Sequence, residues 1–271
     1  MTRVPSQDSE TPFPAQLCAT SLAWDDLVLP TDVLGELEHI VASMRHAGTI
    51  SEEWGFGKIA RPGYRALFSG PPGTGKTLAA TLIGQRLGLP VYRVDLHLVV
   101  SKYIGETEKN LARLLDRARK ESWILLFDEA DALFGKRTDV ADADDRYANQ
   151  EVSYLLQRLE SYEGLVILTS NLEGNFDPVL VRRFQSVVSF PLPSADLRLR
   201  LWRGVLSDKG RLAADVDLEA LARSHELSGG AIVDAARYGA VRALDSGAGR
   251  VAHEALVEGV RRELQRAGRA V

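Results

Sequence analysis

The sequence predicts an α/β fold in which a five-stranded parallel sheet is followed by a smaller, wholly helical C-terminal part. Three observations predict it. A glycine-rich stretch, Gly70-Pro-Pro-Gly-Thr-Gly-Lys-Thr77, stands between a short apolar run and a segment of helical composition. Short apolar runs alternate with amphipathic stretches as far as about residue 191, the order expected of strands joined by crossover helices. Beyond Leu192-Pro-Ser-Ala195 the periodic segments are all helical.

Composition bounds the function. With 271 residues, 45% hydrophobic and 26% charged, the chain can bury one large core and a small second one. A net charge of −4 argues against broad electrostatic binding of nucleic acid. The one cysteine, Cys18, excludes an intramolecular disulfide and a cysteine-built zinc site, and the five histidines have no metal-ligand spacing. No apolar run approaches the roughly 20 residues of a membrane helix. The N-terminus lacks the basic-then-apolar pattern of a signal peptide, so the chain reads as cytoplasmic.

Residues 1–23 read as a flexible tail, rich in Ser, Thr, Pro and Gln and without a period. Residues 24–193 then form the first domain. Val33, Leu34, Leu37, Ile40, Val41 and Met44 recur at helical spacing, giving an amphipathic helix that leads into it. Tyr64-Arg-Ala-Leu-Phe-Ser69 is a buried strand, and Leu78 to Leu87 a helix ending at Gly88. Between them lies a complete G-x-x-x-x-G-K-[ST] pattern. Its glycines let successive N–H groups curl around phosphate oxygens, Lys76 reaches the β- and γ-phosphates, and the Thr77 hydroxyl ligates Mg²⁺. Gly70, Pro71, Pro72, Gly73, Thr74, Gly75, Lys76, Thr77 and Leu78 are therefore the candidate nucleotide contacts.

Val91-Tyr-Arg-Val-Asp95 is the second strand. The loop after it, Lys102-Tyr103-Ile104-Gly105, reads as an exposed gripping loop or a buried turn, and a helix follows from Lys109 to about Lys120. Trp123-Ile-Leu-Leu-Phe-Asp-Glu129 is an apolar strand ending in two carboxylates. At a strand's carboxyl end in a parallel sheet, Asp128 is placed to support Mg²⁺ and Glu129 to polarise the water that attacks the γ-phosphate. The acid-rich stretch from Gly135 to about Arg146 reads as a solvated loop. Leu165-Val-Ile-Leu-Thr-Ser-Asn171 is a further buried strand, beside that of Asp128; Asn171 either binds the attacking water or γ-phosphate or caps a turn. Arg182 and Arg183 end a short helical turn, and adjacent guanidinium groups suit a phosphate contact made across an interface. Val187 to Pro191 is the fifth strand. Residues 194–271 carry four helices, the third opened by Ser228-Gly-Gly-Ala-Ile232.

From about Trp24 onward, with these elements in this order, the sequence resembles the AAA+ ATPases, and within them the AAA subgroup of protein remodellers. The resemblance implies an αβα sandwich with a small helical lid, assembled as a hexameric ring that takes ATP and Mg²⁺ at subunit interfaces. It implies a pore loop at Lys102, Tyr103 and Ile104 that grips extended polypeptide, a sensor at Asn171, and Arg182 or Arg183 acting on the neighbour's nucleotide. Asp26, Leu27 and Val28 would flank adenine from one side, and Gly230 and Ala231 of the lid turn from the other. The sequence departs from the family in two places: the arginines are adjacent, where the family spaces them, and Gly230-Ala231 offers no lid arginine. No substrate-recruiting domain is recognisable ahead of residue 24, which leaves room for an adaptor. Trp54-Gly-Phe56, Val100-Ser-Lys-Tyr-Ile-Gly-Glu-Thr-Glu-Lys-Asn-Leu111 and Asp145-Arg-Tyr-Ala-Asn149 are further similar to bacterial ATPases encoded beside contractile injection systems.

The reading that follows is an Mg²⁺-dependent ATPase, with a protein substrate and no membrane insertion. Two others stay open. A nucleotide-dependent assembly switch or scaffold would carry the same motifs; a nucleic-acid motor or loader would too, against the acidic balance.

Overall fold

The structure is a computed structural model that describes residues 13–59, 63–99, 106–133, 154–172, 176, 178–206 and 211–269. Its strands are β1 (Ala15–Cys18), β2 (Tyr64–Ser69), β3 (Val91–Val94), β4 (Ile124–Phe127), β5 (Leu165–Ser170) and β6 (Ser186–Ser189). They form one sheet in the order β1-β3-β4-β5-β2-β6, in which β2 to β6 are mutually parallel and β1 runs antiparallel to β3.

The five parallel strands are those read from the sequence. The sixth, β1, comes from the segment assigned to the N-terminal tail, and the reason is physical. Without it β3 would be an open edge of unpaired backbone groups. Ala15 to Cys18 close that edge in register with Val94 to Val91, and Phe13 ahead of them packs edge-on against Trp123. Four residues following Pro14 are too few to show a period.

The central strands β2, β4 and β5 are buried on both faces, so their residues read as near-continuous apolar runs. Alternate side chains enter two cores. On one face Ala66, Phe68, Leu126 and Ile167 pack under α1 (Thr31–Arg45) and α3 (Lys76–Leu87). On the other, Leu67, Leu125, Phe127 and Leu168 meet α5 (Glu106–Lys120) and Leu155, Leu156 and Leu159 of the helical residues 154–160. The result is a three-layer αβα arrangement. Two short helices, α2 (Ala47–Glu52) and α4 (Leu96–Val99), lie between these elements, and α6 (Pro178–Val181) precedes β6.

After β6 the chain builds α7 (Ala195–Val205), α8 (Leu218–Ser224), α9 (Gly229–Asp245) and α10 (His253–Arg266) around a third core of Trp202, Ile232, Ala235 and Leu256. Ser194, Asp217 and Ser228 cap α7, α8 and α9 by accepting first-turn N–H groups. Among the described residues no helix is long and apolar enough to cross a membrane.

Parallel pairing puts function at one end. Ser69 stands level with Ser170 and Ser189, and Phe127 level with Leu168, so the chain leaves β2, β4 and β5 side by side at their carboxyl ends.

Candidate active site

The chain leaves β2 at Gly70, whose φ of 139° suits glycine, and where a Cβ would collide with the Phe190 carbonyl oxygen. The loop closes on itself as the Thr74 hydroxyl donates to Pro71 O at 2.9 Å, and Gly75 caps α3, whose first residue is Lys76. This directs the positive end of a 12-residue helix into the concavity of the loop.

Lys76 is buried, and its Nζ donates to Gly70 O at 2.6 Å, Pro71 O at 2.8 Å and Asn171 Oδ1 at 3.0 Å. Burial pulls its pKa below the usual lysine value, while the carboxylates of Asp128, Asp131 and Glu129 push the other way. The Thr77 hydroxyl lies 3.1 Å from each Asp128 carboxylate oxygen. Hydroxyl and carboxylate thus converge on one point with oxygen donors alone, a set that fits Mg²⁺.

The end of β5 holds the turn after β4. The Thr169 hydroxyl donates to Asp128 Oδ1 at 2.6 Å and accepts Glu129 N–H at 3.0 Å. One turn on, Asp131 Oδ1 accepts the Ser170 hydroxyl at 2.6 Å and Asn171 N–H at 2.9 Å. Glu129 has left-handed backbone, φ 53°, and its side chain is exposed. Both Asp128 and Glu129 open onto a cavity of about 500 Å³, whose walls include Phe13, Gln16, Arg93 and Asp95.

The structure therefore brings Gly70 to Thr77, Asp128, Glu129 and Asn171 together. Pro72 is exposed at the loop's tip and Leu78 packs inward against the core under α3. Leu27 is buried with its Cδ1 beneath Gly75, Val28 is half-buried, and Asp26 is exposed with its carboxylate accepting Ala23 N–H. From the lid, Gly230 N–H donates to Gly73 O at 2.9 Å, and Ala231 follows in the first turn of α9. The backbone of the phosphate loop thus touches the helical part directly.

Arg182 and Arg183 differ. Arg183 pairs with Glu160 of its own chain, whereas Arg182 is exposed and has no side-chain partner among the described residues. Lys102, Tyr103 and Ile104 lie outside the described residues, as does the acid-rich stretch 135–146. Sequence reasoning missed Thr169, Ser170 and Asp131. Asp131 did leave a signal, a third carboxylate two residues after Glu129, but a threonine inside an apolar strand leaves none.

Residues 66–192 match the family described as "ATPase family associated with various cellular activities (AAA)". Relatives include an AAA family ATPase of Sinorhizobium fredii, 35% identical over 63% of this chain and 50% of its own length. The proteasome-activating nucleotidase of Aeropyrum pernix is 36% identical over 65% of this chain and 46% of its own. The 26S proteasome regulatory subunit 6A of Saccharomyces cerevisiae is 32% identical over 72% and 46%. The chain thus spans about half the length of the curated relatives it matches. With the phosphate loop, Asp128, Glu129 and Asn171 all inside the matched span and at one end of its sheet, residues 66–192 form an AAA-family ATPase domain, whose nucleotide is ATP and whose ion is Mg²⁺.

Proposed function

We propose that this chain hydrolyses ATP and, as a hexameric ring in the cytoplasm, couples the turnover to remodelling or threading a protein substrate. The observation that carries the reading is the convergence of Lys76, Thr77, Asp128, Glu129 and Asn171 at the ends of three neighbouring strands. Lys76 compensates charge on the β- and γ-phosphates. Glu129 accepts a proton from the attacking water, and Asn171, held to Lys76, orients that water against the γ-phosphate. Mg²⁺ held by Thr77 and Asp128 would neutralise phosphate oxygens on the opposite side.

A protein substrate is supported by relatives named as proteasome-activating and proteasome regulatory subunits. In this reading Tyr103, with Lys102 and Ile104, grips the polypeptide, and a photoreactive group at position 103 crosslinks to it during turnover; no crosslink would remove the pore-loop role. The similarity of residues 54–56, 100–111 and 145–149 to bacterial ATPases encoded beside contractile injection systems supports a role in such a system as part of the same proposal. Arg182 completes the neighbour's site, since Arg183 is engaged with Glu160.

The test is the solution mass of the Glu129→Gln protein with and without Mg·ATP. A shift to about six subunits on binding ATP supports a closed ring. A monomer with ATP demonstrably bound sinks the ring and leaves the assembly switch.

A further inference from the structure

Thr169 follows the continuous apolar run Leu165 to Leu168 within β5, and only 1% of it is exposed. A hydroxyl buried so deeply is costly unless both of its hydrogen-bonding functions are used. Both are used, and on adjacent residues just beyond the end of β4. Its proton goes to Asp128 Oδ1 at 2.6 Å and its oxygen accepts Glu129 N–H at 3.0 Å. The hydroxyl has one proton and Glu129 N–H can only donate, so the polarity of the pair is unique: Asp128 must be the acceptor.

The position is set by register. Leu168 stands level with Phe127, the last residue of β4, so Thr169 faces the first residue beyond the strand, where the chain must turn. It turns through Glu129 with φ 53°, a left-handed conformation that side-chain-bearing residues seldom adopt. The N–H released from the ladder by that turn is the one Thr169 accepts. Asp128 Oδ1 also faces the Thr77 hydroxyl at 3.1 Å, so two hydroxyls, one from α3 and one from β5, fix the carboxylate.

We infer that Thr169 is a positioning residue for hydrolysis: a single oxygen atom that sets where Glu129 stands relative to Asp128. The inference rests on the reading of Glu129 as the base and of Asp128 as the support for Mg²⁺. Thr169 acts through the Asp128 carboxylate and the Glu129 backbone N–H.

The experiment compares Thr169→Val, which replaces the hydroxyl by a methyl at nearly equal volume, with Thr169→Ser, which keeps it. Each is made in the wild-type and the Glu129→Gln backgrounds. Turnover, binding of a fluorescent ATP analogue over a range of Mg²⁺ concentrations, and thermal unfolding are recorded. Thr169→Val should lower kcat about tenfold or more, with KM changed less than about threefold. It should also raise the Mg²⁺ needed for half-maximal analogue binding, a readout independent of turnover.

Thr169→Ser should return both quantities to within about threefold of wild type. In the Glu129→Gln background Thr169→Val should cost little further turnover, because it acts through the residue already removed. A Thr169→Val protein with wild-type kcat and Mg²⁺ dependence overturns the inference. So does a Thr169→Ser protein as slow as the valine variant, which also decides the matter should valine prevent folding. If Glu129→Gln itself turns over at the wild-type rate, it is the reading of the base that fails; normal Thr169→Val turnover beside an inactive Glu129→Gln removes Thr169 alone.

Discussion

As the proposed base, Glu129 would carry the site's chemistry on left-handed backbone. Its left-handed conformation and the N–H held by Thr169 aim an exposed carboxylate into the space beside Asp128. Glu129→Gln keeps that shape and removes the base. Phosphate release should fall about 10²- to 10⁴-fold. Nucleotide affinity, measured by titration, should stay within about threefold; wild-type turnover would place the base elsewhere. Lys76 shows how a residue's role and its cost are joined. Burial opposes its charge, and three nearby carboxylates with three oxygen acceptors sustain it. Glycine to threonine at 70–77 was legible because phosphate binding by a loop is local: every group it needs lies within eight residues. Thr169 was not legible, since its partners lie 40 and 41 residues away and neither is implied by its neighbours.

At the scale of elements, β4 is held from outside by α5 and by the segment following the helical residues 154–160. Tyr162 joins them, its buried hydroxyl donating to Trp123 O at 2.5 Å at the entry to β4. Burial pushes its pKa from the ordinary 10.0 up to about 12. The folded state therefore favours the neutral phenol. Its contribution is complete below the unfolded value near 10 and is lost as pH rises from there toward about 12, where the unfolded chain has released the proton first. Tyr162→Phe should cost about 1–2 kcal/mol at neutral pH. It should also make the alkaline loss of stability shallower than in wild type, measured by urea unfolding along a pH series; an unchanged alkaline slope would show that another group titrates. The strands and helices around this point were readable from apolar runs and 3.6-residue periodicity. β1 was not, because its reason to form is the open edge of β3, a feature of the assembled sheet.

Across the whole molecule, the sheet and the helical part are tied at two places. Arg198 is buried in α7 and donates to Pro193 O and Ala222 O, both at 2.7 Å, bracing the start of the helical part. Gly230 of α9 donates to Gly73 O, and a Cβ at Gly73 would lie 2.6 Å from Ser228 Oγ. The phosphate loop and the helical part are therefore in direct contact. Beyond one chain, the two arginines make a distinguishable prediction. Arg182→Ala should be inactive alone yet recover turnover when mixed with Glu129→Gln subunits. Each then supplies what the other lacks across an interface, as head-to-tail contacts in a ring require. Recovery absent in the Arg182→Ala mixture but present with Arg183→Ala would reverse the assignment. Arg183→Ala alone should act mainly through loss of its ion pair with Glu160.

Much of this molecule was determined by sequence alone: the α/β class, the five parallel strands, the phosphate loop, and the candidacy of Asp128, Glu129 and Asn171. Each rests on a contiguous pattern, either a period or a motif whose groups act together within one turn of chain. Tertiary structure decided what depends on neighbours distant in the chain. It closed the sheet edge with Ala15 to Cys18, engaged Arg183 with Glu160 and left Arg182 exposed. It also placed Thr169 and Asp131 as the partners that hold the turn after β4 against the end of β5. Such roles follow from parallel register, which brings strand ends together across 40 or more residues, and no local pattern encodes that meeting.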